Sequence, residues 1–256
     1  MARRERHRLG VLWLTPLLLV GACGQGHRVT VPTCVSGDVI LTTEQTANAA
    51  TIAAVGKRLG VPNHGVTVAL ATAFQESGLR NLDYGDRDSL GLFQQRPSQG
   101  WGTPADIQTP RLSAAKFFQR LVRVRGWASL PVTVAAQRVQ RSGAPEAYAQ
   151  WEDPSRQLAR ALTGEIEAGL ACRFDPPATA SPSVVRAADA RLRARAVQEL
   201  GPGGLARTRA PWVTASWLMG HAKDHGLRRI SVDGRTWTAA RGTWEPDARA
   251  TALTWS

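Results

Sequence analysis

Between Phe74 and Gln95 the chain reads FQESGLRNLDYGDRDSLGLFQQ, and the residues best suited to acid–base chemistry stand within it. Val66, Leu70 and Ala73 form one apolar helical stripe, and Glu76 follows three residues later on the same face. A carboxyl at the C-terminal end of such a helix is partly desolvated and faces the negative pole of the helix dipole. Both effects disfavour its charged form. A carboxylic acid that keeps its proton near neutral pH can hand it to a leaving oxygen, as cleavage of a glycosidic bond requires. A solvated Glu at a frayed helix end is the plain alternative.

Three aspartates follow, Asp83, Asp86 and Asp88. An inverting hydrolase needs a second carboxylate about 6.5–9.5 Å from the acid to activate water, and Asp86 is the candidate for it. Each of the three fits turn chemistry equally well. Ser77, Ser89, Gln94 and Gln95 add hydrogen-bonding groups along the same run. Trp101, set between Gly100 and Gly102, has the ring to stack on a sugar face or to plug the core beneath a loop.

The elements that must position these groups are mostly helical. Thr42 and Gln45 have capping-box spacing before a helix with Ile52, Val55 and Leu59 on its stripe and Gly60 at its end. Asn63 is expected to cap the next helix, which carries Glu76. Thr103-Pro104 and Thr109-Pro110 read as N-caps with Pro at the first helical position, Pro131 as another start, and a last helix is expected over about 154–168. The long irregular segment 77–103 is the exception, and such segments in compact domains are usually functional.

With these elements in place, ATAFQESGL followed by DSLGLFQQ resembles the lysozyme-like superfamily, above all lytic transglycosylases of the Slt type. In those a helix ends in Glu-Ser and a downstream segment reads Gly-Leu-Met-Gln. DRDSLGLFQQRPSQGWGT and VQRSGAPEAYAQWE resemble actinobacterial exported proteins and phage lysin modules of the same superfamily, and the likeness spans about residues 42–164. It implies that Glu76 is general acid and then general base, that Ser77 holds the helix end and touches substrate, and that Gln94 lines a sugar groove. The family's Ala-Tyr-Asn element is replaced by Val139-Gln140-Arg141-Ser142. Gln140 and Tyr148 are therefore expected in the rear wall, with Tyr148 touching the acid. The implied substrate is the β-1,4 bond between N-acetylmuramic acid and N-acetylglucosamine in peptidoglycan glycan strands. A lytic transglycosylase needs no second carboxylate, because groups of the substrate complete the reaction. A glycan-binding lipoprotein without catalysis on the same fold is the alternative.

The N-terminus reads as an export signal over 1–22: a basic start, MARRERHR, then an apolar run from Leu9 to Val20 shorter than a membrane-spanning helix needs. Val20-Gly21-Ala22-Cys23 resembles a lipobox, which makes Cys23 a lipidation site and anchors the protein to the outer face of the cytoplasmic membrane. Ordinary cleavage after Ala22 is the other reading. Setting Cys23 aside leaves Cys34 and Cys172, an even pair expected to form a disulfide in an exported protein.

The +12 formal charge is uneven: +4 over residues 1–34, +2 over 35–172 and +6 over 173–256. A nucleic-acid reading built on the overall charge is therefore set aside. The expected organisation is a tether at 23–41, a mainly α, lysozyme-like catalytic domain at 42–172, a linker at 173–183 that contains DPPATASPS (175–183), and a small α+β accessory domain at 184–256. In that tail, RRISV-DG-RTWTAA reads as a hairpin, and GLRRISVDGRTWTAARGTW resembles a C-terminal domain of actinobacterial wall-associated proteins. His221 and His225 stand one helical turn apart without a third ligand, so neither metal nor cofactor is expected.

Overall fold

The computed structural model describes residues 31–144, 146–176, 181–206 and 210–256. Cys23 and the expected export signal lie outside them. About half of the chain is helical, with eight α-helices and two small antiparallel sheets among the described residues. No helix among them is long and apolar enough to cross a membrane.

The first strands, β1 (Thr33–Ser36) and β2 (Val39–Thr42), form a hairpin, so the expected tether is ordered sheet from residue 33 onward. The tight turn at Gly37, φ +54°, permits it. Strand β3 (Ala171–Arg173) pairs with β1 on the other side, placing Cys34 opposite Cys172, and these two form the expected disulfide.

Helix α1 (Thr43–Arg58) starts at the expected capping box between Thr42 and Gln45 and is buried on nearly every face. Its small residues allow this. Ala49, Ala50, Ala53 and Ala54 let neighbouring helices approach closely, and a methyl group added at Gly56 would stand 2.8 Å from the Phe118 ring. Helix α2 (Asn63–Ser77) packs beside it, as do α4 (Pro110–Leu121) and α6 (Glu152–Leu162), with short α3 (Pro104–Ile107) and α5 (Val132–Gln140) completing the layer. Asn63 does not cap α2. Pro62 occupies the cap position, and the Asn63 side chain instead accepts from Lys57 Nζ at 3.0 Å and reaches Glu165.

Helices α7 (Pro182–Leu200) and α8 (Pro211–His221) lead to a second sheet of β4 (Arg229–Val232), β5 (Arg235–Thr238), β6 (Trp244–Pro246) and β7 (Thr254–Trp255), in the order β6-β5-β4-β7. Asp233 and Gly234 both take positive φ between β4 and β5, as a two-residue hairpin turn with that sequence requires. Where two cores were expected, a single buried cluster runs from Cys34 through Ala239. Gly220 of α8 lies so close to α1 that a methyl group there would meet the Ala50 methyl at 2.5 Å. The indoles of Trp237 and Trp244 donate to the carbonyls of Cys172 and Leu170, each at 2.8 Å. The expected linker also begins inside structure: Arg173 belongs to β3, and Phe174 is buried with its N–H donating to Ala239 O at 3.1 Å.

Candidate active site

Helix α2 ends abruptly, and the ending places Glu76. Gly78 and Leu79 both take φ near +60°, so the chain reverses immediately after Ser77. The carbonyls left over at this reversal are met from α1: Gln45 Nε2 donates to Gly78 O at 2.9 Å and Asn48 Nδ2 to Leu79 O at 2.8 Å. Glu76 is left half-buried on the last turn. The Tyr148 hydroxyl, itself fully buried, donates to Glu76 Oε1 at 2.7 Å. Among the described residues no donor reaches Oε2. Burial and the adjacent Glu76 carboxylate push the Tyr148 hydroxyl above its ordinary value, so it keeps its proton and remains a donor.

Ser77 is buried, with Oγ 2.8 Å from Leu92 O and 3.0 Å from Ala73 O. It ties the helix end to the Gly91-Leu92-Phe93-Gln94 element. Burial removes the substrate contact also expected of it. That element is a small closed loop, pinned by paired Leu90–Gln95 backbone bonds of 2.9 and 3.0 Å. Gly91, φ +73°, fits where a side chain would press within 2.7 Å of Ile107 O. Leu92 and Phe93 are buried, and Phe93 stacks on Phe117 with centroids 4.7 Å apart. From α5, Gln140 Nε2 donates to Phe93 O at 2.7 Å. Glu76, Ser77, Gln140 and Tyr148 are thus gathered at one place, by α2, the 90–95 loop, α5 and the segment before α6.

The remaining expected residues are placed differently. Gln94 turns its amide inward, donating to Tyr84 O at 3.2 Å and Gly91 O at 3.3 Å. Gln95 is buried and donates to Ser113 O at 3.1 Å, which leaves it no path to a glycan. Ser89 is also buried, its N–H donating to Asp86 O at 3.0 Å. Trp101 is 6% exposed with the Arg120 guanidinium 3.6 Å above its ring, so it plugs the core beneath the loop and offers no face for a sugar. Asp86 stands out in solvent, 90% exposed, with Arg87 at 3.9 Å. Asp88 is occupied. Arg96 at 2.7 Å and the Ser98 N–H at 2.8 Å hold its carboxyl well below the usual range and staple the loop.

One part of the site was missed in the sequence. Trp151 stacks flat on Phe74, centroids 5.0 Å apart, and its indole donates to Gln75 Oε1 at 2.9 Å; Gln150 Nε2 reaches the same oxygen at 3.2 Å. The signal was present in AYAQWE, where Trp151 falls three residues after Tyr148. Trp151 is half-buried beside the turn that carries Glu76.

Chemically the arrangement is a single carboxyl, held through one oxygen by a phenol, with no donor on the other oxygen among the described residues, on a helix turn whose Phe74 and Gln75 meet the Trp151 indole. Such a group can give and take a proton. No group of three or more metal-ligating side chains occurs among the described residues. No protein-family model matches the chain, and no curated protein matches it.

Proposed function

We propose that the protein is an exported, lipid-anchored glycosidase of the lysozyme-like type, with Glu76 protonating the β-1,4 glycosidic oxygen of peptidoglycan and then serving as base. The observation that carries this reading is the Tyr148–Glu76 hydrogen bond of 2.7 Å, made at the end of a buried helix by a residue from the sequence region expected to furnish it. A phenol donor steadies the carboxyl in one orientation, and orientation is what a general acid needs. The Ser77–Leu92 contact supports the reading too, since it locks the Glu-Ser helix end against the Gly-Leu-Phe-Gln element.

Of the two chemical outcomes, transglycosylation is favoured. Asp88 is committed to Arg96 and Ser98, and Asp86 points into solvent. An enzyme that uses groups of its substrate in place of a second carboxylate asks nothing of either. Mass spectrometry of the soluble fragments released from purified peptidoglycan tests this: 1,6-anhydro ends are expected, and reducing ends alone would indicate hydrolysis. Binding without any released fragments would instead assign the protein to glycan recognition without cleavage.

A further inference from the structure

The sequence from 107 to 145 holds seven Lys or Arg residues and no Asp or Glu, so the nearly neutral total over 35–172 hides a strong local excess of positive charge. Folding gathers five of these cations. Arg120 lies on the last turn of α4, Arg123 and Arg125 on the turn after it, and Arg138 and Arg141 at the end of α5. Arg138 Nη1 donates to Arg125 O at 3.4 Å, bridging the two segments. Arg120 donates to Gln99 O at 3.1 Å and Gly100 O at 2.9 Å while covering Trp101. Burial, then the charges of Arg141 and Arg123, lower the affinity of Arg120 for its proton, as expected where guanidinium groups share one region. Arg123, Arg125, Arg138 and Arg141 are exposed, and none has an ion pair among the described residues.

We infer that these arginines form a ledge that binds carboxylates carried by the same polymer whose backbone enters the Glu76 site; this rests on the proposed function. Like charges collected without acids lower one another's stability until an anion arrives, and guanidinium forks suit carboxylates. Continuity with the site identifies the anion's carrier. Arg141 directly follows Gln140, whose amide holds Phe93 O, and its φ of +55° turns the chain toward Ser142. The Ser142 hydroxyl bonds Gln137 Oε1 at 2.9 Å, and the same short segment leads to Tyr148 and so to Glu76. A strand lying along Glu76 would carry its acidic substituents past this ledge.

The test is cosedimentation of the full chain, in a Glu76→Gln background that leaves the strand uncut, with purified peptidoglycan and with the same material after its carboxyls are amidated. The Arg123→Gln/Arg141→Gln double variant, whose changes are both exposed and whose melting temperature is checked alongside, is run in parallel. Amidation is expected to weaken binding about tenfold or more, the double variant to show the same loss on untreated material, and amidation to add little further loss to the variant. Equal binding before and after amidation overturns the inference. So does unchanged binding by the variant, an absence of binding to untreated material, or tighter binding to anionic phospholipid vesicles or to duplex DNA. Cleavage by the Glu76 form is scored separately. Charge-dependent binding without cleavage keeps the ledge and removes the glycosidase reading, whereas cleavage with charge-independent binding does the reverse.

Discussion

The Tyr148 hydroxyl donates to Glu76 Oε1 across 2.7 Å, joining residues 72 apart in sequence. Tyr148→Phe keeps the buried ring and removes only this donor. A hydrogen bond to a charged group contributes about 1.5–3 kcal/mol to stability, so the melting temperature should fall by several degrees. With the acid no longer held in one orientation, the release of soluble sugar from peptidoglycan should slow roughly tenfold or more. A rate within about twofold of wild type would mean that the phenol does not position the acid.

Trp101 and Arg120 give a prediction of the opposite kind. Trp101→Ala empties a nearly closed space beneath the 77–103 segment and should cost about 3–5 kcal/mol of stability, read as a lowered denaturant midpoint. Unchanged stability together with lost glycan affinity would return Trp101 to the role of a sugar platform.

The disulfide closes a long loop, Cys34 and Cys172 being 138 residues apart. In the chain-entropy account its removal should cost about 5 kcal/mol. The Cys34→Ser/Cys172→Ser double variant, or wild type under reductant, should unfold at markedly lower denaturant. Equal midpoints with and without reductant would show that the β1–β3 pairing and the core suffice without it.

A buried polar cluster makes stability acid-sensitive. Glu199 of α7 accepts from Arg195 at 2.8 Å, from Trp217 Nε1 at 2.8 Å and from Thr51 at 3.0 Å. His221 of α8 is fully buried, its Nε2 3.4 Å from Glu199 but without a well-aligned hydrogen bond; Asp224 and half-buried His225 are the other titratable neighbours. Burial by itself raises the Glu199 carboxyl. Its hydrogen-bond donors and the nearby positive charge outweigh that and hold it below its ordinary 4.5. Burial moves His221 below its ordinary 6.5, and we take the ring as neutral, with Arg195 and the indole as the main support of the carboxylate. Both folded values lie below the unfolded ones, so the stability they contribute is complete above pH 6.5 and declines as pH falls, first through His221 and then, below 4.5, through Glu199. Melting temperature should therefore drop steadily from pH 7 to pH 3. Glu199→Gln should lower it at pH 7, by about 2 kcal/mol of stability, and flatten the profile below pH 4.5. A flat wild-type profile would contradict this.

Local chemistry made much of the fold legible. The capping box at Thr42, the prolines opening α3 and α4, and the Asp233-Gly234 turn are all specified by a few adjacent residues. The β1–β2 hairpin was hidden because its strands are four residues long and one partner, β3, lies far down the chain. The joining of 184–256 to the main core was hidden for a related reason: it depends on Gly220 meeting Ala50, a match of small residues that leaves no periodic signal. Within the site, Glu76 and Ser77 were marked by their place at a helix end. The inward turn of Gln94 and the burial of Gln95 follow from the tight 90–95 loop, and amide side chains do not announce in sequence which carbonyl they will meet.

The proposed glycosidase depends on Glu76 to move the proton. Wild type and Glu76→Gln, matched for melting temperature, should be given the same purified peptidoglycan and the soluble muropeptides quantified by mass spectrometry. Wild type is expected to release them, and the variant at least about a thousandfold less, as befits loss of the one acid–base group. Equal release by the two proteins would place the chemistry elsewhere.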